Sequence, residues 1–461
     1  MILTGVYLLL RKKDNVKRFK FVIISLVFVA FCFSCTKKFV IPFQSKFPSI
    51  LNINTLGGSK NESGKSVIKT QDGGYVVFGY TQSIDGDVVT AKTIDQYDFW
   101  ILKFSNKNDL QWQKTYGGSN DEKGYKIIET KDNGFAVIGY SKSNDIDVSA
   151  NDGFEDVWVL KLSTLGDIQW KVNTGFTGTD KGFSIIETSD GGYFLGTILD
   201  VSASGGLGNS KRLNKHAGGD FWGIKLSSSG LIEWRKYFGG TNTDTCYDTV
   251  ETSDGYLMIG SSDSKDVDIK NNRGSYDVWV VKIDKSGTLL WEKSFGGEEI
   301  DEAYQIIKTF DDNFLIVGET RSSDQDISFQ KGGADIWVLK INPDGKILWQ
   351  KTYGGSSFDV AKAITSTNDG NYIIAGNTRS IDKDVINNSG ENDVWVIKIN
   401  PEGEIFWQKT IGGSQIDLAN DVTVLNDDTI VVVGESNSND KEIKENKGFS
   451  DLLIIQLNEI N

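Results

Sequence analysis

The sequence predicts an all-β protein, a seven-bladed β-propeller of four-stranded antiparallel blades, on three observations. All 12 tryptophans of the 461-residue chain fall into two columns of one repeat. Glycine pairs recur at intervals of 57 to 64 residues. Each repeat holds four short runs rich in β-branched and aromatic residues, bounded by turn residues, as antiparallel strands are. Seven consecutive units of four strands are typical of a propeller.

The glycine markers count the blades and place their boundaries. They begin at residues 57, 117, 239, 296, 354 and 412, and the degenerate pair Gly175-Phe176 supplies the missing one. In the sixth unit, Asn368-Asp-Gly joins the first two strands as a tight turn, and Asn400-Pro-Glu-Gly joins the last two as a type I turn closed by glycine. Seven units therefore occupy residues 50–461.

The tryptophans predict contacts between blades. The first column is Trp100, Trp158, Trp222, Trp279, Trp337 and Trp395, and the second is Trp112, Trp170, Trp234, Trp291, Trp349 and Trp407. Because a short turn separates the two columns, we expect each pair to lie nearly opposite on adjacent strands, packed between neighbouring blades.

Each tryptophan column lacks its tryptophan in one repeat, and these two exceptions predict how the ring closes. Leu453 stands in the first column of the last repeat, and Asn52 stands in the second column before the first marker. If the N-terminal strand completes the seventh blade, these two residues become partners. We therefore expect residues 50–56 to pair with strand 451–458, which removes both exposed sheet edges.

The repeat has a recognisable signature, seen between Trp395 and Gly413 as Trp-x-x-Lys, then Trp-x-Lys, then Gly-Gly. It resembles repeats of envelope lipoproteins and secreted proteins from Bacteroidetes-type bacteria. More distantly it is similar to the propeller repeats of pyrroloquinoline-quinone enzymes and of the outer-membrane assembly lipoprotein built like them. The resemblance covers residues 50–461 and implies a propeller, with no particular activity or cofactor.

The N-terminus predicts export and lipid anchoring. Six basic residues precede an apolar run, 21–33, which ends at Ser34-Cys35. This pattern is typical of a lipoprotein signal peptide over residues 1–34, with palmitate or a similar lipid on Cys35 and a tether over 35–49. The alternative is a single-pass anchor, for which the run is short. No acidic cluster follows Cys35, so we expect an outer-membrane lipoprotein facing the periplasm rather than the cell surface.

The charge balance excludes some partners. The full chain has a formal net charge of −14. Residues 1–34 carry six basic and one acidic side chain, so the mature chain has 43 basic and 62 acidic side chains and a net charge of −19. We therefore expect no nucleic-acid binding. After cleavage Cys246 is the remaining unmodified cysteine, which excludes an intrachain disulfide.

Three carboxylate columns are the candidate site, and all three belong to one face, which we expect to be acidic. The first column, predicted to ring the channel mouth, is Glu62, Glu122, Asp180, Asp244, Asp301, Asp359 and Asp417. The second is Asp98, Asp156, Asp220, Asp277, Asp335, Asp393 and Asp451. The third comes from a recurring Ser-x-Asp-x-Asp motif and contains Asp85, Asp87, Asp145, Asp147, Asp266, Asp268, Asp324, Asp326, Asp382 and Asp384, with Asp440 and Glu442 as a variant.

Two interpretations of these columns remain open. Paired loop carboxylates offer oxygen ligands to Ca²⁺, which would make the third column a calcium site. Alternatively, each Asp caps its own turn by accepting backbone N–H bonds. A residue repeated in every unit serves what every unit needs, so capping is favoured, and no other cofactor is expected.

The third repeat departs most from the others. Its loop between the second and third strands is longer and carries Lys211, Arg212, Lys215 and His216 on a face otherwise rich in carboxylates. These residues are candidates for contact with an anionic ligand or partner, the alternative being a solvated loop. His216 is also the single histidine of the chain, which argues against histidine-based metal or triad catalysis.

Together these features predict a non-enzymatic, monomeric envelope propeller that presents an acidic face to a protein or glycan partner. One alternative is a periplasmic scaffold for outer-membrane assembly. The other is a glycoside hydrolase or lyase that uses paired carboxylates.

Overall fold

The computed structural model describes residues 47–89, 91–209 and 216–460. Its strands are β1 (Phe47–Leu56), β2 (Glu62–Lys69), β3 (Tyr75–Thr81), β4 (Asp98–Phe104), β5 (Leu110–Tyr116), β6 (Glu122–Glu129), β7 (Phe135–Ser141), β8 (Asp156–Leu162), β9 (Ile168–Thr174), β10 (Lys181–Glu187), β11 (Tyr193–Asp200), β12 (Gly219–Leu226), β13 (Ile232–Phe238) and β14 (Asp244–Glu251). They continue with β15 (Gly255–Ser262), β16 (Asp277–Asp284), β17 (Leu289–Phe295), β18 (Asp301–Lys308), β19 (Phe314–Thr320), β20 (Asp335–Ile341), β21 (Ile347–Tyr353), β22 (Asp359–Ser366), β23 (Tyr372–Thr378), β24 (Asp393–Ile399), β25 (Ile405–Ile411), β26 (Asp417–Val424), β27 (Ile430–Ser436) and β28 (Asp451–Ile460). One short helix, α1 (Val201–Ser204), follows β11.

These strands form seven four-stranded antiparallel sheets, which confirms the seven-bladed propeller. Blades 1 to 6 take their strands in chain order from β2–β5 to β22–β25, and blade 7 has the order β1-β28-β27-β26. The first strand of each blade contacts the first strands of both neighbouring blades, so these seven strands line the central channel.

Ring closure by the N-terminal strand is confirmed. β1 pairs antiparallel with β28 from Phe47 opposite Ile460 to Leu56 opposite Leu452. The pairing is longer than predicted, so residues 47–49 belong to the blade and not to the tether. Ile50 and Ile53 pack against the core between blades 6 and 7.

The two tryptophan columns lie on opposite faces of each blade. In blade 1, Trp100 pairs with Thr115 and Trp112 pairs with Lys103, an offset of three positions. The expectation that the two rings lie opposite each other is therefore wrong, because the connection 105–109 places the turn later than the spacing suggests. Since side chains alternate along a strand, an odd offset turns the rings to opposite faces. Asn52 and Leu453 keep the same offset and are likewise not direct partners.

Each face of a blade meets a different neighbour, which confirms that both columns pack between blades. Trp158 of blade 2 packs on Phe99 of blade 1 with ring centroids 4.6 Å apart. Trp112 of blade 1 packs against Phe135 of blade 2 and beside Gly166 in the outer hairpin of that blade. The first column is buried, and the second is half-buried except for Trp407.

In blades 1 to 6 the lysine of the repeat signature forms an ion pair at the end of the blade opposite the glycine pair, and blade 7 has Gln456 at this position. Lys398 Nζ lies 2.8 Å from Asp369 in the turn between the first two strands of its blade. Although burial opposes it, hydrogen bonds from Lys398 and Thr367 hold the pKa of Asp369 at about 2. Each of these buried lysines is thus paired within its own blade: Lys103 with Asp72, Lys161 with Asp132, Lys225 with Asp190, Lys282 with Asp254 and Lys340 with Asp311.

The predicted signal peptide, its lipidated Cys35 and most of the tether lie outside the described residues. Within the part that the structure describes, no helix is long and apolar enough to cross a bilayer. Cys246 is a buried free thiol.

Candidate functional site

The glycine-pair turn is where the three carboxylate columns meet. The four backbone N–H groups of the turn 117–120 donate in order to Asp147, Glu122, Asp145 and Ser143 at 3.2, 2.7, 2.8 and 2.8 Å. The same four bonds recur at the turns before blades 1, 4, 5, 6 and 7. Side chains of the incoming blade therefore satisfy every N–H group of these turns.

This network bears on the two interpretations of the third column. Its oxygens accept backbone N–H bonds, as capping requires, but from the glycine-pair turn before the blade rather than from their own turn. Within the described ranges no group of three or more Asp, Glu, Cys or His side chains could hold a metal ion. Calcium binding at Asp85 and Asp87 and at their equivalents in other blades stays a prediction.

The first column does not form a solvent-facing ring at the channel mouth. All seven side chains are at most 1 % exposed. Each accepts hydrogen bonds inside its own junction; Glu122, for example, accepts from Gly118 N at 2.7 Å and Ser141 Oγ at 2.6 Å. The predicted mouth ring was wrong because position in the repeat shows at which end of the strand a carboxylate lies, but not whether a turn covers it.

The second column completes a pair of buried carboxylates at each junction. In blades 2, 4, 5, 6 and 7 the N–H group four residues earlier donates to it, as Ser389 does to Asp393. The other carboxylate oxygen of Asp393 has no hydrogen-bond partner among the described residues and lies beside Gly412 with Asp417. Such pairs raise the pKa of their members, because burial and a like charge both disfavour ionisation.

Raised pKa values occur at carboxylates of several blades. Burial, with a smaller contribution from the neighbouring carboxylate, raises the pKa of Glu122 and Asp180 to about 7. Burial likewise raises the pKa of Asp335 and Asp393 to about 6, with the charge of Asp359 or Asp417 adding to it.

The carboxylate pair also explains the first glycine of the marker. A Cβ atom on Gly354 would lie 2.3 Å from Asp335 Oδ1 and 2.7 Å from Asp359 Oδ2. We expect Gly354→Ala to lower the free energy of unfolding by about 1–3 kcal/mol, the usual cost of overpacking. Chemical denaturation checks this value. Gly370→Ala, at a left-handed glycine (φ 83°) with open space around it, measures the cost of backbone strain without a steric clash. A loss at Gly354 below about 1 kcal/mol contradicts the explanation.

His216 performs the capping role in blade 3. Its Nδ1 lies 2.6 Å from Asp220 Oδ2, in the place that a backbone N–H group takes in other blades. The side chain is 2 % exposed and its ring packs edge-on against Tyr237. His216 is therefore wrongly predicted as a contact residue. Lys211, Arg212 and Lys215 lie outside the described residues, so their contact role stays a prediction.

The channel wall is where the blades differ chemically. The first strand of every blade has a β-bulge three residues after its carboxylate. A bulged residue has no partner in the ladder, and its side chain is re-aimed. The bulged residues, in blade order, are Lys65, Tyr125, Phe183, Tyr247, Tyr304, Lys362 and Asn420, and all seven line one cavity of about 250 Å³.

Four of these residues form a continuous aromatic wall. Successive ring centroids from Tyr125 to Phe183, Tyr247 and Tyr304 are 4.8, 5.5 and 5.3 Å apart. All four side chains are half-buried and line the cavity, and Lys362 Nζ lies over the ring of Tyr304. An apolar wall beside a few polar groups is the usual form of a small-ligand site.

Charged groups complete the lining. Lys126 lies 3.9 Å from Asp421, and Asp248 accepts hydrogen bonds from Ser184 and from the backbone of Ile306. Nearer the glycine turns, Lys123 lies over the rings of Tyr80 and Tyr97, with Nζ 4.9 and 3.9 Å from their centroids. This end of the channel therefore carries lysines as well as carboxylates.

Comparison with known proteins adds one distant relative. No protein-family model matches the chain. Over 407 residues it is 20% identical to the regulatory protein FlaEY of Caulobacter vibrioides, covering 78% of this chain and 41% of FlaEY. The chain thus spans less than half the length of that relative.

Several solved structures are similar at low identity. A protein of unknown function from Bacteroides caccae has a TM-score of 0.40 and 11% identity, covering 69% of this chain and 94% of its own. The Pan2 WD40 domain of Neurospora crassa has a TM-score of 0.46 and 9% identity, covering 90% of this chain and 96% of its own. Drosophila Plexin A, solved with Semaphorin 1b, has a TM-score of 0.46 and 10% identity, covering 90% of this chain and 88% of its own. These values assign no activity or partner to this chain.

The sequence contained a signal for the channel residues that the acidic columns obscured. The position three residues after each carboxylate holds aromatic residues in four blades, lysine in two and asparagine in one. A scaffold position repeats its residue type, whereas this position varies between bulky and charged residues. Variation at a fixed position, rather than in a loop, was the usable sign of a site.

Proposed function

We propose that this protein is a non-enzymatic, lipid-anchored envelope protein whose propeller binds a glycan in the cavity of its central channel. The observation that carries the proposal is the aromatic wall of Tyr125, Phe183, Tyr247 and Tyr304 along a cavity of about 250 Å³. Sugar rings present C–H faces that pack on aromatic faces, while their hydroxyl groups need polar partners. The cavity is at the low end of ligand-site volumes, which suits roughly one or two sugar rings.

The carboxylates support a binding role over a hydrolytic one. Hydrolysis of a glycosidic bond needs two carboxyl groups exposed to the substrate. At the blade junctions both members of each pair are buried and at least one accepts backbone N–H bonds. Among the described residues the cavity has two carboxylates, and hydrogen bonds occupy both: Asp421 accepts from Ser66 and Val67, and Asp248 accepts from Ser184 and Ile306.

The anchoring part of the proposal rests on the sequence of residues 1–35. Cleavage before Cys35 and lipidation of that cysteine would hold the propeller at the outer membrane, facing the periplasm. Metabolic labelling with a palmitate analogue, with Cys35→Ser as the control, tests this part separately.

Binding is tested with the full-length protein in detergent on a glycan array, followed by calorimetry with the best glycan. We expect Tyr247→Ala to weaken binding at least about tenfold, equivalent to about 1.4 kcal/mol. Phe310→Ala is the control, because Phe310 is 70% exposed in a turn outside the channel. Absence of any glycan ligand, or equal binding by both variants, refutes the channel site. Capture of a protein through a surface that tolerates Tyr247→Ala would favour a protein partner instead.

A further inference from the structure

The remaining bulge positions of the channel wall carry two lysines. Lys362, Asn420 and Lys65 occupy the bulge positions of blades 6, 7 and 1, which are consecutive around the closed ring. Asn420 Nδ2 donates to Gly64 O at 2.9 Å, which ties the middle residue to blade 1. The cavity therefore has an aromatic half and a half with two ammonium groups.

Lys362 is the less neutralised of the two lysines. In the described part of the chain no carboxylate lies within 4.0 Å of its Nζ, which sits 3.3 Å from the ring centroid of Tyr304. The carboxylates that interact electrostatically with Lys362 belong to Glu302 and Glu319. Both accept hydrogen bonds from Tyr304 Oη, at 2.7 and 3.2 Å. Lys65, by comparison, lies 3.4 Å from Glu435.

Lys362 is surrounded by charges of both signs. Burial lowers the pKa of Lys362 to about 8; Glu319 and Glu302 oppose this shift, and the charge of Lys65 adds to it. Two ammonium groups that weaken each other in a partly enclosed space are stabilised when an anion binds between them. Lys126 does not share this role, because Asp421 and Asp248 already balance its charge.

We infer that the channel cavity selects a sugar ring that bears a carboxylate, with the ring on the aromatic wall and the carboxylate between Lys362 and Lys65. This inference rests on the proposed glycan-binding function and deepens it. The ligand class is the uronic acids and their oligomers. A neutral sugar has the same ring face but leaves the two lysines without a counter-charge.

The test compares glucuronate with glucose by calorimetry on the full-length protein in detergent at pH 6.5. We expect glucuronate to bind at least about tenfold more tightly, as charge-assisted hydrogen bonds to two ammonium groups would provide. The preference should shrink as the pH rises through 8 to 9, because Lys362 loses its proton near its pKa of about 8. Inorganic phosphate is measured in parallel to detect a site for any anion.

Variants separate the two levels of the proposal. Lys362→Met keeps the length of the side chain and removes its charge, so it should abolish the preference for glucuronate over glucose. Lys107→Met, in an exposed turn, is the control, and Lys65→Met repeats the test if Lys362→Met does not fold. Equal affinity for glucuronate and glucose in the wild type overturns the inference but leaves glycan binding intact. Phosphate binding as tightly as glucuronate also overturns it, and binding of neither sugar overturns both proposals.

Discussion

Removal of β1, residues 47–56, is expected to lower the melting temperature by at least about 10 °C, or to prevent folding. The physical reason is that β1 is the outer strand of blade 7, although it comes first in the chain. Without it, β28 becomes an unpaired edge, and Ile50 and Ile53 leave the core between blades 6 and 7. Differential scanning calorimetry of a chain that begins at residue 57 measures the loss.

A chain that begins at residue 46 is the matched control, because it keeps all of β1. We expect it to melt within a few degrees of the full-length protein. A peptide of residues 46–57 added in excess should restore part of the loss by mass action, since it binds the folded ring. Equal melting temperatures for the two truncated chains would show that β1 does not stabilise the closed ring.

The second large effect is a fall in stability as the pH rises from about 4 to about 8. Carboxyl groups at the blade junctions have pKa values near 6 or 7 in the folded protein, well above their ordinary values of 3.8 and 4.5. A group with a raised folded-state pKa stabilises the fold while it is protonated, and this stabilisation is lost as the pH rises through the folded value. At the acid end, Asp369 and similar lysine-paired groups have lowered pKa values, so their contribution is lost as the pH falls below about 4.

Melting curves at intervals of half a pH unit from 3 to 9 therefore should show a maximum near pH 4, with a decline of several degrees by pH 8. Asp393→Asn removes one charge from a buried pair with little change of shape. It should melt higher than the wild type at pH 8 and no higher at pH 3. Asp344→Asn, in an exposed turn, is the control. A melting temperature that is flat or rises between pH 4 and 8 contradicts the proposed ionisation of the pairs.

The sequence predicted the fold well because the scaffold positions repeat. Two tryptophan columns and one glycine pair sufficed for seven blades, and the joint failure at Asn52 and Leu453 located the closure. The same columns did not show that the two tryptophan rings of a blade lie on opposite faces. That depends on the register of the last two strands, which the five-residue turn between them sets. Repetition of a residue indicates that every blade needs it, but does not show what covers its side chain.

The site was predicted less well for a related reason. Glu122 and Asp98 are charged and recur, which made them candidates for a surface role, yet a turn and its N–H groups enclose them. Burial of a carboxylate depends on neighbours distant in sequence, and those neighbours are visible only in the fold. Tyr247 and Lys362 were not predicted as site residues, because each occurs at a position where other blades have different residues.

The bulge in each inner strand separates the residue that lines the channel from the residues that hold the blades together. Tyr247 and Lys362 have no partner residue in the sheet ladder, and their side chains contact the bulged residues of neighbouring blades. Their replacement would change the chemistry of the channel while the tryptophans, glycines and junction carboxylates keep the ring assembled. The protein thus holds seven side chains around one axis as a binding surface that can change without a change of the scaffold.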